Sequence, residues 1–357
     1  MNTFGDKIKI TVFGQSHDQA IGVVIDGLSA GFEIDIERLN KFMQRRAPGN
    51  NSYSTARKEA DAPEFVSGLL DGRTTGAPLC AVIYNNDTKS KDYSELAEKM
   101  RPSHSDYPAY VKFDGKNDVR GGGMFSGRLT APLCIAGGIL MQMLEKKGVY
   151  IGAHILSVKD KMDNKFDAVC CTKEEIQAPG KKDFPVISDL AGEEMKKVIV
   201  DAKNDCDSVG GVIECVVTGM KAGIGEPMFY GLENVISSCV FAVPAVKGIE
   251  FGAGFGCANL FGSQNNDEYY YDENKNVKTR TNNAGGICGG LSTSMPIIFN
   301  TAIKPTPSIA KAQNTINVKT KKQDVLEIKG RHDPCIVQRA VPCIEAVTAI
   351  AISQFLL

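Results

Sequence analysis

The sequence lacks an excess of either charge: 41 Lys and Arg against 42 Asp and Glu leave a formal net charge of −1 over 357 residues. That excludes the overall basic bias of nucleic-acid binders and of proteins held on anionic membranes, so any cationic site must be local. The N-terminus, Met1-Asn2-Thr3-Phe4-Gly5-Asp6-Lys7, has no apolar core of a signal peptide. No apolar run approaches the roughly 18 residues of a membrane span, so a soluble, cytoplasmic protein is expected. The eleven cysteines include no Cys-x-x-Cys pair and no histidine stands at zinc-finger spacing; buried free thiols are expected. Nucleotide motifs are missing too. There is no Gly-x4-Gly-Lys-Ser/Thr, Gly252, Gly254 and Gly256 have the wrong spacing for Gly-x-Gly-x-x-Gly, and Ser16 lacks the flanking glycines of a nucleophile elbow.

What is present is a globular composition, 43% hydrophobic and 23% charged, with enough length to bury a large core. No Pro-, Ser- or charge-rich linker divides the chain, and a single domain over residues 1–357 is expected. Glycine is abundant and clustered, at Gly121-Gly122-Gly123, Gly252-Ala253-Gly254-Phe255-Gly256 and Gly285-Gly286-Ile287-Cys288-Gly289-Gly290. Such clusters make tight turns or let backbone approach a ligand. The segments led by glycines 121 and 285 are weakly alike, a hint of internal duplication.

Asp35 is placed to cap a helix whose apolar face is Ile36, Leu39, Phe42 and Met43, stopped by Pro48-Gly49, with Arg45 and Arg46 in the last turn. Further helices are expected over about 129–147 and 341–356, and strands at Gly211-Val212-Ile213-Glu214-Cys215-Val216-Val217 and Met295-Pro296-Ile297-Ile298-Phe299. The stretch from about 160 to 203 reads as surface helix and loop. Strands and helices interleave without regular βαβ spacing, which predicts a mixed α/β sandwich (α+β) rather than a doubly wound parallel sheet.

Of four histidines, three lie in polar, Gly- or Pro-punctuated segments: Gly14-Gln15-Ser16-His17, Arg101-Pro102-Ser103-His104-Ser105-Asp106 and Gly330-Arg331-His332-Asp333-Pro334. Imidazole titrates nearest neutrality and suits proton transfer to a leaving group or cofactor. His154, in an apolar context, reads as a hydrogen-bonded core residue. No two histidines share metal-ligand spacing and carboxylates are not grouped, so no metal site is expected. Arg45, Arg46, Arg101, Arg120, Arg128 and Arg331 lie in or near these segments, and guanidinium forks grip phosphate and carboxylate in pairs. Lys304-Pro305-Thr306-Pro307-Ser308 follows an apolar strand and offers either a rigid turn or a phosphate-binding loop.

Together these segments resemble one family, chorismate synthase, in the same order along nearly the whole chain. The blocks are Phe13-Gly14-Gln15-Ser16-His17; Gln44-Arg45-Arg46-Ala47-Pro48-Gly49; Arg101-Pro102-Ser103-His104-Ser105-Asp106-Tyr107; Asp118-Val119-Arg120-Gly121-Gly122-Gly123; Pro244-Ala245-Val246-Lys247-Gly248-Ile249-Glu250-Phe251-Gly252; Asn283-Ala284-Gly285-Gly286-Ile287-Cys288-Gly289-Gly290; Lys304-Pro305-Thr306-Pro307-Ser308-Ile309; and Gly330-Arg331-His332-Asp333-Pro334-Cys335. The resemblance implies two sheets enclosing helices, usually in a homotetramer, and anti-1,4-elimination of phosphate from 5-enolpyruvylshikimate 3-phosphate with reduced FMN. NADPH as reductant or a separate flavin reductase would supply that flavin. A substrate with one phosphate and two carboxylates accounts for converging arginines in a chain of near-zero net charge.

By position, the resemblance implies that His104 protonates the departing phosphate, His17 serves reduced flavin, and Asp333 assists removal of the ring proton. Ser16, Arg46, Arg101, Ser126 and Arg128 would hold the substrate, Arg46 also facing any nicotinamide cofactor. Ala245, Gly289, Lys304, Pro305, Thr306, Pro307, Ser308, Arg331 and Ser126 would line the FMN. The chain departs from the family at Met124, Phe125, Ala47 and Ser52, where hydroxyl or cationic residues are usual. Those losses motivate the alternative of a noncatalytic flavin- or anion-binding paralogue.

Overall fold

Strict alternation builds the first half. Ile8, Ile10, Ile21, Val23, Ile25, Leu79, Ala81 and Ile83 are all buried, the period-two pattern of strands with one covered face. In the computed structural model, which describes residues 2–47, 61–85, 95–328 and 333–357, they form a five-stranded sheet in the order Thr3–Phe4, Lys9–Gly14, Ala20–Asp26, Leu79–Tyr84, Glu64–Ser67. Every pairing in it is antiparallel. A second five-stranded antiparallel sheet runs Val246–Phe251, Ile297–Ile303, Gly211–Thr218, Tyr150–Val158, Lys161–Met162.

Helices fill the space between. α1 (Ile36–Arg46), α2 (Asp106–Lys112), α3 (Thr130–Lys146), α4 (Lys173–Gln177), α5 (Asp189–Asn204), α6 (Leu232–Val240), α7 (Gly262–Asn265) and α8 (Val337–Leu356) follow in chain order. α3 packs on the first sheet and α8 on the second, and the two pack on each other, with α1 and α6 alongside. The expected sandwich of sheet, helices and sheet is therefore present. α3 and α8 cross closely because Gly137 has no side chain: a Cβ there would sit 2.3 Å from the Ala346 Cα. The Cys134 and Cys343 thiols meet at the same interface, 3.8 Å apart.

Several sequence expectations hold. Asp35 caps α1 by accepting from the Arg38 amide at 2.8 Å, and α3 falls where its apolar periodicity put it. Others need correction. α8 starts at Val337, four residues before the expected position, because packing sustains the helix through Pro342 despite the lost amide donor. The stretches 127–146 and 337–356 are in fact long and apolar enough to cross a membrane, but 83% of each is buried between the two sheets, so they are core helices. Only Cys134, Cys215, Cys239, Cys335 and Cys343 of the eleven free cysteines are buried; Cys170, Cys206, Cys257 and Cys288 are exposed. The segment 160–203 is more than surface. Phe166 and Ile176 pack with Val216 and Ile298 on the outer face of the second sheet, and Phe184, Val186, Met195 and Ile199 are buried.

His154 belongs to that outer layer and is fully buried. Its Nε2 lies 2.9 Å from Glu214 and its Nδ1 3.2 Å from Asp163. Burial opposes its charge, but the two carboxylates outweigh that and raise its pKa above the ordinary histidine value. It is a satisfied structural residue, as its apolar context implied. The glycine segments at 121 and 285 differ locally: the first is a kinked turn of three glycines with non-helical backbone, the second leads into a hairpin of Ile287–Cys288 and Leu291–Ser292.

Candidate active site

The triple glycine organises the site. Gly121, Gly122 and Gly123 all have positive φ, +58°, +86° and +54°, a run that L side chains resist. A Cβ on Gly121 would meet the His17 Cε1 at 2.4 Å and the Ser16 Oγ at 2.5 Å; one on Gly122 would stand 3.5 Å from the His104 Nε2. The turn is thus a thin backbone wedge with His17 on one side and His104 on the other. The Ser16 amide donates to the Gly123 carbonyl at 3.2 Å, which fixes the Ser16-His17 loop on it, and His17 Nδ1 lies 3.3 Å from the Ser16 Oγ. Two histidines 87 residues apart in sequence become neighbours through one turn, since 104 less 17 is 87.

His104 is oriented by its own loop. The Asp106 carboxylate, at the first turn of α2, takes the Arg101 Nε at 2.7 Å, a second Arg101 guanidinium nitrogen at 2.8 Å, the Arg101 amide at 3.1 Å and His104 Nδ1 at 2.6 Å. Burial works against its charge, but the hydrogen bonds from Arg101 and His104 win and hold it well below the usual carboxylate range. An ionised carboxylate only accepts, so His104 Nδ1 must donate, and Nε2 is the atom that gains and loses the proton. Ser103 adopts φ +57°, and Lys304 donates to its carbonyl. Arg101 also reaches the Ser308 Oγ at 3.4 Å. The 101–106 loop and the 304–308 segment are therefore one structure.

Arg46 and Arg128 form the other wall. Both are buried, and both donate to the buried Asp61, one to each carboxylate oxygen. Arg46 Nε also donates to the Thr130 Oγ1 at 3.0 Å, and Arg128 Nε to the Asn85 Oδ1 at 3.1 Å. Ser126 caps the turn before Arg128 by accepting its amide, which sets the Arg128 backbone next to the glycine wedge. Burial opposes the Asp61 charge, yet the two guanidiniums lower its pKa below the ordinary value. Arg339 joins this wall to Asp333: it donates to the Arg46 carbonyl at 3.0 Å and pairs with the Asp333 carboxylate. Arg45 points the other way, onto Glu345 at 2.6 Å, where it is a structural ion pair.

On the far side of the 304–308 segment, the Lys304 amide donates to the Ala245 carbonyl at 2.9 Å, and Ala245 itself has φ +75°. Burial, and then the charge of nearby Lys247, lower the Lys304 pKa. The Thr306 Oγ1 is buried with no hydrogen-bond partner among the described residues. Gly289 sits at the exposed hairpin turn with open space before it. Arg331 and His332, like Pro48, Gly49 and Ser52, lie outside the described residues. Among the described residues no group of His, Cys, Asp and Glu is arranged to hold a metal ion. Met124 and Phe125 are partly exposed on the wedge, Phe125 against Phe113 with ring centroids 6.5 Å apart.

The sequence pointed to Ser16, His17, Arg46, Arg101, His104, Ser126, Arg128, Asp333 and the 304–308 segment, and each is tied to another of them directly or through one shared residue. It missed Asp61, Asn85, Thr130 and Arg339, and it gave Asp106 no role. Single carboxylates and amides scattered through the chain carry no local pattern; only their burial beside arginine marks them.

Two histidines brought to one glycine turn beside buried, carboxylate-clamped arginines make this the candidate active site of an enzyme acting on a small molecule. The family model "Chorismate synthase" matches residues 8–357. A chorismate synthase of Lancefieldella parvula is 44% identical, covering 98% of this chain and 95% of its own, and one of Methanocaldococcus jannaschii is 40% identical over 100% and 96%. A crystal structure of chorismate synthase superposes with a TM-score of 0.77 at 24% identity, covering 99% of this chain and 93% of that one, which shows the shared fold. The chain belongs to the chorismate synthase family, and its activity is that family's carbon–oxygen lyase reaction.

Proposed function

We propose that the site eliminates phosphate from 5-enolpyruvylshikimate 3-phosphate with His104 as the acid, Asp333 assisting loss of the ring proton, and His17 keeping the charge of the cofactor balanced. The observation that carries this is the glycine wedge, which sets His17 and His104 on two sides of one turn and beside Ser126 and Arg128. His104 Nε2 bears the mobile proton because Asp106 fixes Nδ1, and the same carboxylate stabilises the imidazolium before transfer. Arg46, Arg101, Arg128 and Ser16 bind and orient the phosphate and carboxylates, and the packed walls exclude water from them.

The chemistry that reduced FMN would supply here, when bound, is reversible electron donation that assists departure of the phosphate. The residues fit such a cofactor: Lys304, with the charge of Lys247 near it, lies on the same segment as the buried Thr306 Oγ1, which has no partner among the described residues, and a cation with a free hydroxyl suits a phosphate tail. Pro305 and Pro307 stiffen that loop, and Ser308, Ala245, Gly289 and Arg331 complete the proposed lining. The test is anaerobic phosphate release from 5-enolpyruvylshikimate 3-phosphate with prereduced FMN. Release only with the reduced flavin is expected; none under those conditions overturns the assignment. Turnover on NADPH and oxidised FMN assigns flavin reduction to this chain, with Arg46 as the nicotinamide contact, whereas dependence on prereduced flavin assigns it to a separate reductase.

A homotetramer is the assembly we propose. Met228, Phe229, Phe255, Phe261 and Tyr271 are large, mostly apolar side chains at least three-quarters exposed, and subunit interfaces would cover them. Light scattering should give four times the 38.5 kDa chain mass, and a monomeric mass would refute this. Eleven free thiols suit a reducing compartment, and we assign the enzyme to the cytoplasm.

A further inference from the structure

Asp61 is nearly as buried as any residue in the protein, at 2% exposure, and it shares its two oxygens between two guanidiniums. The rest of the cluster fixes what each arginine has left to offer. Arg46 spends Nε on Thr130 and a terminal nitrogen on the Gly127 carbonyl at 3.2 Å, while Thr130 itself donates to that carbonyl at 2.6 Å. Arg128 spends Nε on Asn85, whose amide nitrogen donates to the Asp18 carbonyl at 2.9 Å and the Gln15 carbonyl at 3.3 Å. Arg128 is thereby tied to the turn that carries Ser16 and His17. Among these three described side chains, the one carboxylate between two guanidiniums lowers their summed charge from +2 to about +1.

That difference matters for turnover. A buried pair of uncompensated guanidiniums would attract any dianion strongly, product phosphate as much as substrate, and would repel each other out of register. Tight binding of substrate and product alike does not speed the chemical step.

We propose that Asp61 is a positioning residue of the elimination: it holds Arg46 and Arg128 at a set separation and caps their combined charge, so that phosphate is gripped in register and then let go. This rests on Arg46 and Arg128 being the substrate-binding pair proposed above. Asp61 acts through the two arginines and touches no reacting atom.

The test compares Asp61→Asn and Asp61→Glu in the full-length protein, reading the affinity for inorganic phosphate by calorimetry alongside kcat and KM. In Asp61→Asn, loss of the charge should tighten phosphate binding roughly tenfold, with kcat falling and KM not rising. Asp61→Glu keeps the charge and alters the geometry: phosphate affinity should stay within about twofold of wild type while kcat falls. Wild-type phosphate affinity together with wild-type kcat in Asp61→Asn overturns the proposal. Should Asp61→Asn fail to fold in phosphate-free buffer, recovery of its melting transition by phosphate supports the proposal, and Asp61→Glu with unchanged kcat overturns it. The underlying reading fails separately, taking the proposal with it, if wild-type protein turns over but binds no phosphate and Arg128→Met leaves KM unchanged.

Discussion

Replacing His104 with alanine should lower kcat by roughly 10²- to 10⁴-fold, the usual worth of a positioned general acid. The loss should fall on kcat, because Arg101 keeps its three contacts with Asp106 when the imidazole is gone and the anion-binding wall is untouched. Steady-state phosphate release with reduced FMN reads this directly. Flavin affinity should stay near wild type, since the groups proposed to hold the cofactor's phosphate lie on the 304–308 segment. A His104→Ala enzyme with wild-type kcat would remove His104 from the chemistry. A noncatalytic paralogue, by contrast, would bind flavin and show no turnover for the substitution to abolish.

Gly121→Ala should cost nearly as much activity without replacing a functional side chain. The added methyl meets the His17 ring at 2.4 Å and the Ser16 Oγ at 2.5 Å, and the φ of +58° is itself unfavourable for alanine. Backbone strain of this kind costs about 1–3 kcal/mol of stability. Displacing a catalytic ring by about 1 Å costs on the order of 10²-fold in rate. The expected result is a folded protein with a modestly lower melting temperature and kcat/KM down by about two orders of magnitude. Activity close to wild type in the folded variant would mean that His17 tolerates displacement and has no exacting role.

Legibility from the sequence tracks the range of the interaction. α1 could be read with its cap and its stop because Asp35, the apolar face of Ile36, Leu39, Phe42 and Met43 at i, i+3, i+6 and i+7, and Pro48 are all local signals. The three histidine segments and the triple glycine stood out for the same reason: polar residues punctuated by Gly and Pro, with no apolar period. Asp61 gave no such sign. It lies 15 residues from Arg46 and 67 from Arg128, and a lone aspartate in a polar stretch looks like any solvated charge. Arg339 was hidden in an apolar helix, where a guanidinium reads as a surface break rather than as the link between Arg46 and Asp333. The 160–203 stretch was underestimated because its buried residues, among them Phe166, Ile176, Phe184 and Met195, are spaced too widely to show a period. Their partner is the outer face of a sheet whose strands lie elsewhere in the chain.

The resemblance implies polar or charged groups where this chain has Met124, Phe125 and Ala47. The contact of His104 with Asp106 involves none of those positions, and neither does the sharing of Asp61. Met124 and Phe125 lie on the exposed side of the wedge, Phe125 against Phe113, whereas Ala47 is buried.

The close crossing of α3 and α8 also sets a schedule for synthesis. Cys134 and Cys343, which touch across it, are 209 residues apart. At 5–20 residues per second, the ribosome needs about 10–40 s to deliver the second helix after the first. Throughout that interval α3 has its first sheet but no opposite partner, and an apolar strip meant for α8 faces solvent. The nascent chain therefore exposes aggregation-prone surface until nearly all of these 357 residues have emerged, and slowing translation should worsen its aggregation.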